Sequence, residues 1–255
     1  MQRWCSLDAG RATLACAGTS AGTARTSAYA TWWLEQTLAD LPAADDWLGA
    51  AEAVRLSGMR FPKRRADWRL GRWTAKHAVS FYLKLPVDPS SLARVEIRAA
   101  PSGAPEAFLG NEPAPVTISI SHREGRAACA IAGSPAMLGC DLEIAEPRSD
   151  AFATDYFTAE EQDLVAQATE ADRWRLLALL WSAKESALKA LGEGLRLDTR
   201  SVAVDLQPHS SAVVWQPLRA EYDGRVFDGW WRQTDNLVRT MVAAPAPAPP
   251  LTYQT

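Results

Sequence analysis

Apolar and polar residues along this chain change period at defined places, and those changes mark its elements. The pattern predicts a strand around Tyr29 to Leu34, a helix over Asp46 to Leu56, a long helix from Lys63 to about Leu83, and strands near Val95, Thr117 and Ala128. The turn cluster Ala132-Gly133-Ser134-Pro135 divides the chain at that point. Beyond it, Leu138 to Ile144 reads as a strand. Trp174, Leu177, Leu180, Trp181, Leu188 and Leu191 recur at three- and four-residue steps, which predicts a helix from Arg173 to Leu191 that stops at Gly192 and Gly194. Strands follow around Val202 and Val213, then a hairpin pairing Val226 to Gln233 with Leu237 to Val242 around Thr234-Asp235-Asn236. Each half is then a long helix against a small antiparallel sheet, with no obvious internal repeat in the sequence. Four prolines among alanines over Ala243 to Pro250 predict an extended tail rather than a packed element.

The candidate chemistry sits on the second strand and the second long helix. Residues two apart in a strand share a face, so Asp141 and Glu143 stand side by side while Leu142 points away. Such a pair either faces water from an edge strand or shares a cation. All-oxygen ligands suit magnesium, manganese or calcium rather than zinc. On the helix, Trp181, Glu185 and Lys189 share a face, and Glu185 with Lys189 also forms an ordinary i, i+4 pair. The cluster Lys63, Arg64, Arg65, Arg69, Arg72 and Lys76, interleaved with Trp68 and Trp73, admits two readings by itself: a solvated helix face or a nucleic-acid surface. Ser121 and His122 point opposite ways from one strand, so they cannot form a hydrolase dyad unaided. A phosphate contact or a satisfied core histidine remains.

Composition narrows the function classes. With 255 residues, 47% of them hydrophobic, the chain can bury a core as one domain or two small ones. A net charge of -3 gives no global field toward nucleic acid or an anionic membrane. The four cysteines, Cys5, Cys16, Cys129 and Cys140, form no C-x-x-C pair, and three histidines offer no zinc set, which fits reduced thiols in a cytoplasm. No stretch approaches the ~18–20 continuous apolar residues of a membrane span. Arg11 and the polar run from Gly18 to Ser27 make a poor signal peptide, so residues 1–28 read as a loosely ordered extension.

Gly139-Cys140-Asp141-Leu142-Glu143, followed about forty residues later by Trp181-Ser182-Ala183-Lys184-Glu185-Ser186-Ala187-Leu188-Lys189, resembles the signature of the 4'-phosphopantetheinyl transferases. The likeness is to the larger, single-chain branch, in which two similar halves make one molecule. Ile118-Ser119-Ile120-Ser121-His122, Phe157-Thr158-Ala159-Glu160-Glu161 and the basic stretch Phe61 to Lys76 resemble further family segments in the expected order. The resemblance implies an α+β fold of two similar subdomains, each a long helix on a small antiparallel sheet, related by a pseudo-two-fold axis. Residues 29–133 would bind coenzyme A and residues 134–243 would carry the metal and catalytic residues, flanked by the 1–28 extension and a 244–255 tail.

The implied reaction moves the 4'-phosphopantetheine arm of coenzyme A to a serine of an apo acyl or peptidyl carrier protein, releasing 3',5'-ADP with magnesium or manganese. Asp141, Glu143 and Glu185 would hold the metal, and Glu185 would accept the serine proton. Lys184 and Lys189 would neutralise phosphoryl charge, with Glu161 orienting a water or the nucleophile. Arg64, Arg72, Lys76, Ser121 and His122 would hold the coenzyme, His122 against its 3'-phosphate. The same resemblance implies a monomeric cytoplasmic enzyme serving fatty-acid, polyketide or nonribosomal peptide synthesis. One departure stands out: the family's Gly-Lys-Pro, whose lysine reaches a coenzyme phosphate, is Gly103-Ala104-Pro105 here. The alternative is a non-catalytic module binding coenzyme A or a carrier protein, which could dispense with the three acids. A nucleic-acid-binding protein would need the basic cluster alone.

Overall fold

Two 22-residue helices, each laid on its own sheet, organise the chain. The computed structural model describes residues 29–149, 151–206 and 214–253, so the extension over 1–28 and the strand expected at Val213 lie outside it. The first half runs β1 (Thr31–Thr37), α1 (Ala50–Ser57), α2 (Pro62–Leu83), α3 (Pro89–Ala93), β2 (Val95–Ala99), β3 (Pro105–Leu109), β4 (Glu112–Pro113), β5 (Val116–Arg123) and β6 (Arg126–Gly133). The second half runs β7 (Met137–Ile144), α4 (Ala151–Tyr156), α5 (Ala159–Gln167), α6 (Glu170–Leu191), β8 (Ala203–Leu206), β9 (Gln216–Tyr222), β10 (Arg225–Thr234) and β11 (Leu237–Ala244), and β12 (Leu251–Tyr253) follows. Strand orders are β12-β1-β6-β5, β7-β11-β10-β9-β8 and β2-β3-β4. This is the α+β architecture of small antiparallel sheets and packed helices that the pattern predicts.

Strand alternation builds the layers. On β6, Cys129 and Ile131 face α2 and join Leu34, Ala75, Val79 and Ile118 in one core. The intervening Ala128, Ala130 and Ala132 face the other sheet, where with Trp33 they meet Leu138, Cys140, Leu142 and Met241. Small alanines let the two sheets approach closely. Ala183, Ala187 and Leu188 of α6 pack on Leu218, Phe227 and Val242 behind the second sheet. A buried bidentate pair, Arg239 Nε and Nη2 to the Glu35 carboxylate at 2.5 and 2.9 Å, ties β11 to β1 across the halves.

The structure also shows a repeat that is not obvious in the sequence. Trp73-Thr74-Ala75-Lys76 on α2 and Trp181-Ser182-Ala183-Lys184 on α6 occupy the same place, each lysine fourteen residues after its helix's first residue (62 to 76, 170 to 184). Other expectations shift locally. The helix expected from Asp46 begins at Ala50, because the Gly49 N–H is taken by the Glu52 carboxylate at 3.0 Å. Beyond Ala244 the chain is extended, yet it packs: β12 pairs parallel with β1, and Tyr253 stacks on Phe81 at 3.9 Å. Prolines withhold their own N–H groups, but Ala248 N donates to Tyr29 O, and Trp230 Nε1 donates to Pro247 O. Among the described residues no helix is long and apolar enough to cross a membrane.

Candidate active site

Asp141 and Glu143 lie on the face of β7 that meets α6, while Leu138, Cys140 and Leu142 face the first sheet. Gly139 makes the helix's approach possible. A Cβ there would stand 1.8 Å from Ser186 O and 2.7 Å from Ala190 N, so the glycine of the Gly-x-Asp-x-Glu segment is where α6 touches the strand. That contact brings Lys189 onto Asp141: its Nζ donates to Oδ1 at 2.8 Å and to Cys140 O at 3.0 Å, with Glu185 Oε2 3.7 Å away.

The charges around Lys189 are unevenly satisfied. Asp141 is buried, its Oδ1 also accepts the Ser121 hydroxyl at 2.8 Å, and its Oδ2 has no partner. Burial, and next the Asp141 charge, push the Glu185 carboxyl up from 4.5 to about 7. Glu143 is turned aside: its Oε1 accepts Arg148 Nη2 at 2.8 Å and Ile144 N at 3.0 Å, with Arg123 Nε at 3.2 Å. The three acids expected to converge are thus arranged as Asp141 with Glu185, and a Glu143 clamped by two arginines. Among the described residues no three potential ligands form a ready cage. An orphaned buried carboxylate oxygen beside an acid disfavoured by like charge has the chemistry a hard divalent cation would require, and Asp141 and Glu185 would supply it, with Glu143 on the same strand face.

Lys184, one residue before Glu185, serves a different purpose. It is fully buried, with Nζ 2.7 Å from Glu161 Oε2 and donating to Thr199 O at 3.0 Å and to Val202 O. Glu161 is equally occupied. It closes a capping box with Thr158 and accepts Val204 N at 2.9 Å. Lys184 has all three donors occupied, and Glu161 is buried and tied to that cation and to two backbone N–H groups, which corrects the catalytic roles expected of both. The first half repeats this lock: Lys76, also fully buried, lies 2.6 Å from Glu52 and donates to Trp47 O and Leu92 O, each at 3.0 Å. Glu52 accepts Gly49 N and Ile97 N. Lys76 is therefore a structural lysine and not a coenzyme ligand.

Arg64, Arg72 and His122 do come together. They line a cavity of about 600 Å³ with Lys63, Arg98 and Trp68, where Asp67 is the single carboxylate. Arg72 is held by burial, its Nε has no hydrogen-bond partner, and its nearest acid, Glu52, is 4.0 Å away. His122 is exposed on this cavity's wall, which removes the core-histidine reading. Ser121 is directed oppositely, as alternation requires: its hydroxyl accepts Leu142 N at 3.1 Å while donating to Asp141. It positions the carboxylate and is absent from the cavity wall. Ser119 does the same for Cys140 N at 3.0 Å, so the Ser-x-Ser alternation of β5 satisfies the exposed edge of β7. Through Gly103, Pro105 and Ile120 this cavity adjoins a second, of about 730 Å³, whose walls include Phe108, Ile118, Leu138 and Leu191 and which reaches Lys189.

Known proteins are similar to this chain. The family model described as the 4'-phosphopantetheinyl transferase superfamily matches residues 137–227. A 4'-phosphopantetheinyl transferase, HetI of Nostoc sp. (strain PCC 7120 / SAG 25.82 / UTEX 2576), is 28% identical over 165 residues, 63% of this chain and 65% of that protein. The matched part thus spans somewhat under two thirds of that relative. The crystal structure of Helicobacter pylori holo-[acyl-carrier-protein] synthase (AcpS) in complex with coenzyme A covers 41% of this chain and 99% of its own, at 18% identity and a TM-score of 0.33. Asp141, Glu143, Glu185 and Lys189 all lie inside the segment, residues 137–227, that the model of the 4'-phosphopantetheinyl transferase superfamily matches.

Proposed function

We propose that this protein is an enzyme that transfers the 4'-phosphopantetheine arm of coenzyme A to a serine of an apo acyl or peptidyl carrier protein, releasing 3',5'-ADP. The observation that carries the reading is a pair of adjoining cavities: a cationic one holding Arg64, Arg72 and His122, and one reaching Lys189, which bridges Asp141 and Glu185. The first suits a phosphate-rich head group; the second offers apolar walls to the pantetheine arm. Asp141, Glu185 and Glu143 would hold magnesium or manganese, which would supply electrostatic stabilisation to the transferring phosphoryl group. Glu185, beside Lys189 and close to the Asp141 charge, is the carboxylate placed to take the serine proton, directly or through water. Lys189 offers its charge at the same point. Both cavities belong to one chain, which supports a monomer, and buried free thiols at Cys129 and Cys140 suit a cytoplasmic setting.

Incubating apo carrier proteins with the enzyme, coenzyme A and magnesium should add the mass of one phosphopantetheine arm to a carrier serine. No modification of any fatty-acid, polyketide or peptide carrier in such a panel would return the protein to the class of silent binding modules.

Glu185 also sets a pH dependence. Its folded pKa of about 7 exceeds the ordinary 4.5, so between these values the folded protein keeps a proton that the unfolded chain releases. Its stabilising contribution is complete below about pH 4.5 and is lost as pH rises through about 7. Urea unfolding of the cation-free protein should show stability declining over that window, and Glu185→Gln should flatten the decline. An unchanged slope in the variant would remove Glu185 as its source.

A further inference from the structure

Where the family's lysine would reach a coenzyme phosphate, this chain has Ala104, which lines the apolar cavity and supplies no charge. The first hairpin offers a replacement. On β2, Val95 and Ile97 are buried in the core, so alternation turns Glu96 and Arg98 to the other face. Arg98 sits opposite Glu106 in the β2–β3 register, within two residues of Ala104, and it lines the cationic cavity with Arg64, Arg72 and His122. Its guanidinium lies over the Phe108 ring at 4.2 Å, Nε donates to Glu96 Oε2 at 2.9 Å and Nη2 donates to Gly110 O at 3.0 Å. The side chain is thereby fixed at half exposure, with its Nη1 free of hydrogen bonds among the described residues. A long cation held on one side by a ring, a carboxylate and a carbonyl, with one edge open to a cavity, is preorganised for an anion.

We infer that Arg98 is the specificity residue for the coenzyme's 3'-phosphate, taking over from a neighbouring strand the charge that position 104 lacks. This rests on the proposed reading of the cavity as a coenzyme A site. Glu96 orients the guanidinium through an ion pair, and the net positive charge of the cavity comes from Lys63, Arg64 and Arg72 against Asp67.

Calorimetric titration of the full-length protein with coenzyme A and with dephospho-coenzyme A, which lacks the 3'-phosphate, tests the assignment. Arg98→Gln should weaken coenzyme A binding by about ten- to a hundred-fold, the worth of one charge-assisted hydrogen bond, and leave dephospho-coenzyme A binding within about two-fold. Arg98→Lys should fall between, because it keeps the charge and loses the planar fork. Adding Ala104→Lys to Arg98→Gln should recover most of the lost coenzyme A affinity by returning a cation to the same region. Circular dichroism melting checks that each variant is folded, and the partial exposure of Arg98 makes the Gln and Lys variants tolerable. Equal losses for the two ligands, or no loss for either, would overturn the inference while leaving the cavity a coenzyme site. A wild-type protein that binds neither ligand would bring down the coenzyme reading itself, and the role of Arg98 with it.

Discussion

Replacing Asp141 with asparagine should slow phosphopantetheine transfer by about 10²- to 10³-fold and still yield a folded protein. Asparagine keeps the shape and can accept the Ser121 hydroxyl, but it cannot anchor a hard cation or hold the charge of Lys189. Two electrostatic changes offset one another in the cation-free protein: the Lys189 ion pair is lost, and the repulsion that raises Glu185 is relieved. The melting temperature without metal should therefore change little, whereas the stabilisation conferred by added magnesium or manganese should largely disappear. Following carrier modification by mass spectrometry alongside thermal melts separates these effects. Wild-type turnover in the variant would remove Asp141 from the site.

A second large effect is expected from Lys184→Met, in stability rather than in chemistry. The substitution leaves the Glu161 carboxylate buried without its cation, and breaking such a pair costs about 3–5 kcal/mol. Burial itself pulls the Lys184 pKa down and Glu161 works against it, so each partner depends on the other. The double variant Lys184→Met with Glu161→Leu should regain much of the loss, because no uncompensated charge is left. Denaturant titration measures both. A Lys184→Met protein of wild-type stability but slow transfer would reinstate the lysine as a group that faces the phosphate.

Much of this site is legible in the sequence, and for physical reasons that can be named. Period-two alternation put Asp141 and Glu143 on one strand face, and helical stepping put Glu185 and Lys189 on one helix face; both relations hold in the structure. The capping box Thr158-x-x-Glu161 was present as a family segment, but its physical meaning is local: a side chain closing a helix start. Alternation along β5 also separates Ser121 from His122, yet it does not say which of the two faces reaches a ligand. That answer came from β7, whose open edge takes the serine hydroxyls and leaves His122 toward the cationic cavity.

By itself the sequence determined the elements, their faces and the presence of the acids, because these depend on neighbours within a few positions along the chain. Only the tertiary structure decided which charges are offered to a substrate and which are consumed inside. Lys184 and Glu185 are separated by about 100° around one helix, and what waits on each side is supplied from far along the chain: Glu161, Thr199 and Val202 for the lysine, Asp141 for the acid. The same holds for Lys76, drawn inward by Glu52, and for Arg98, which belongs to the cationic cavity because a hairpin folds it beside α2 and β5. A charged residue's role follows from the partners that long-range packing delivers to it, and those partners are not encoded in the spacing of its own segment.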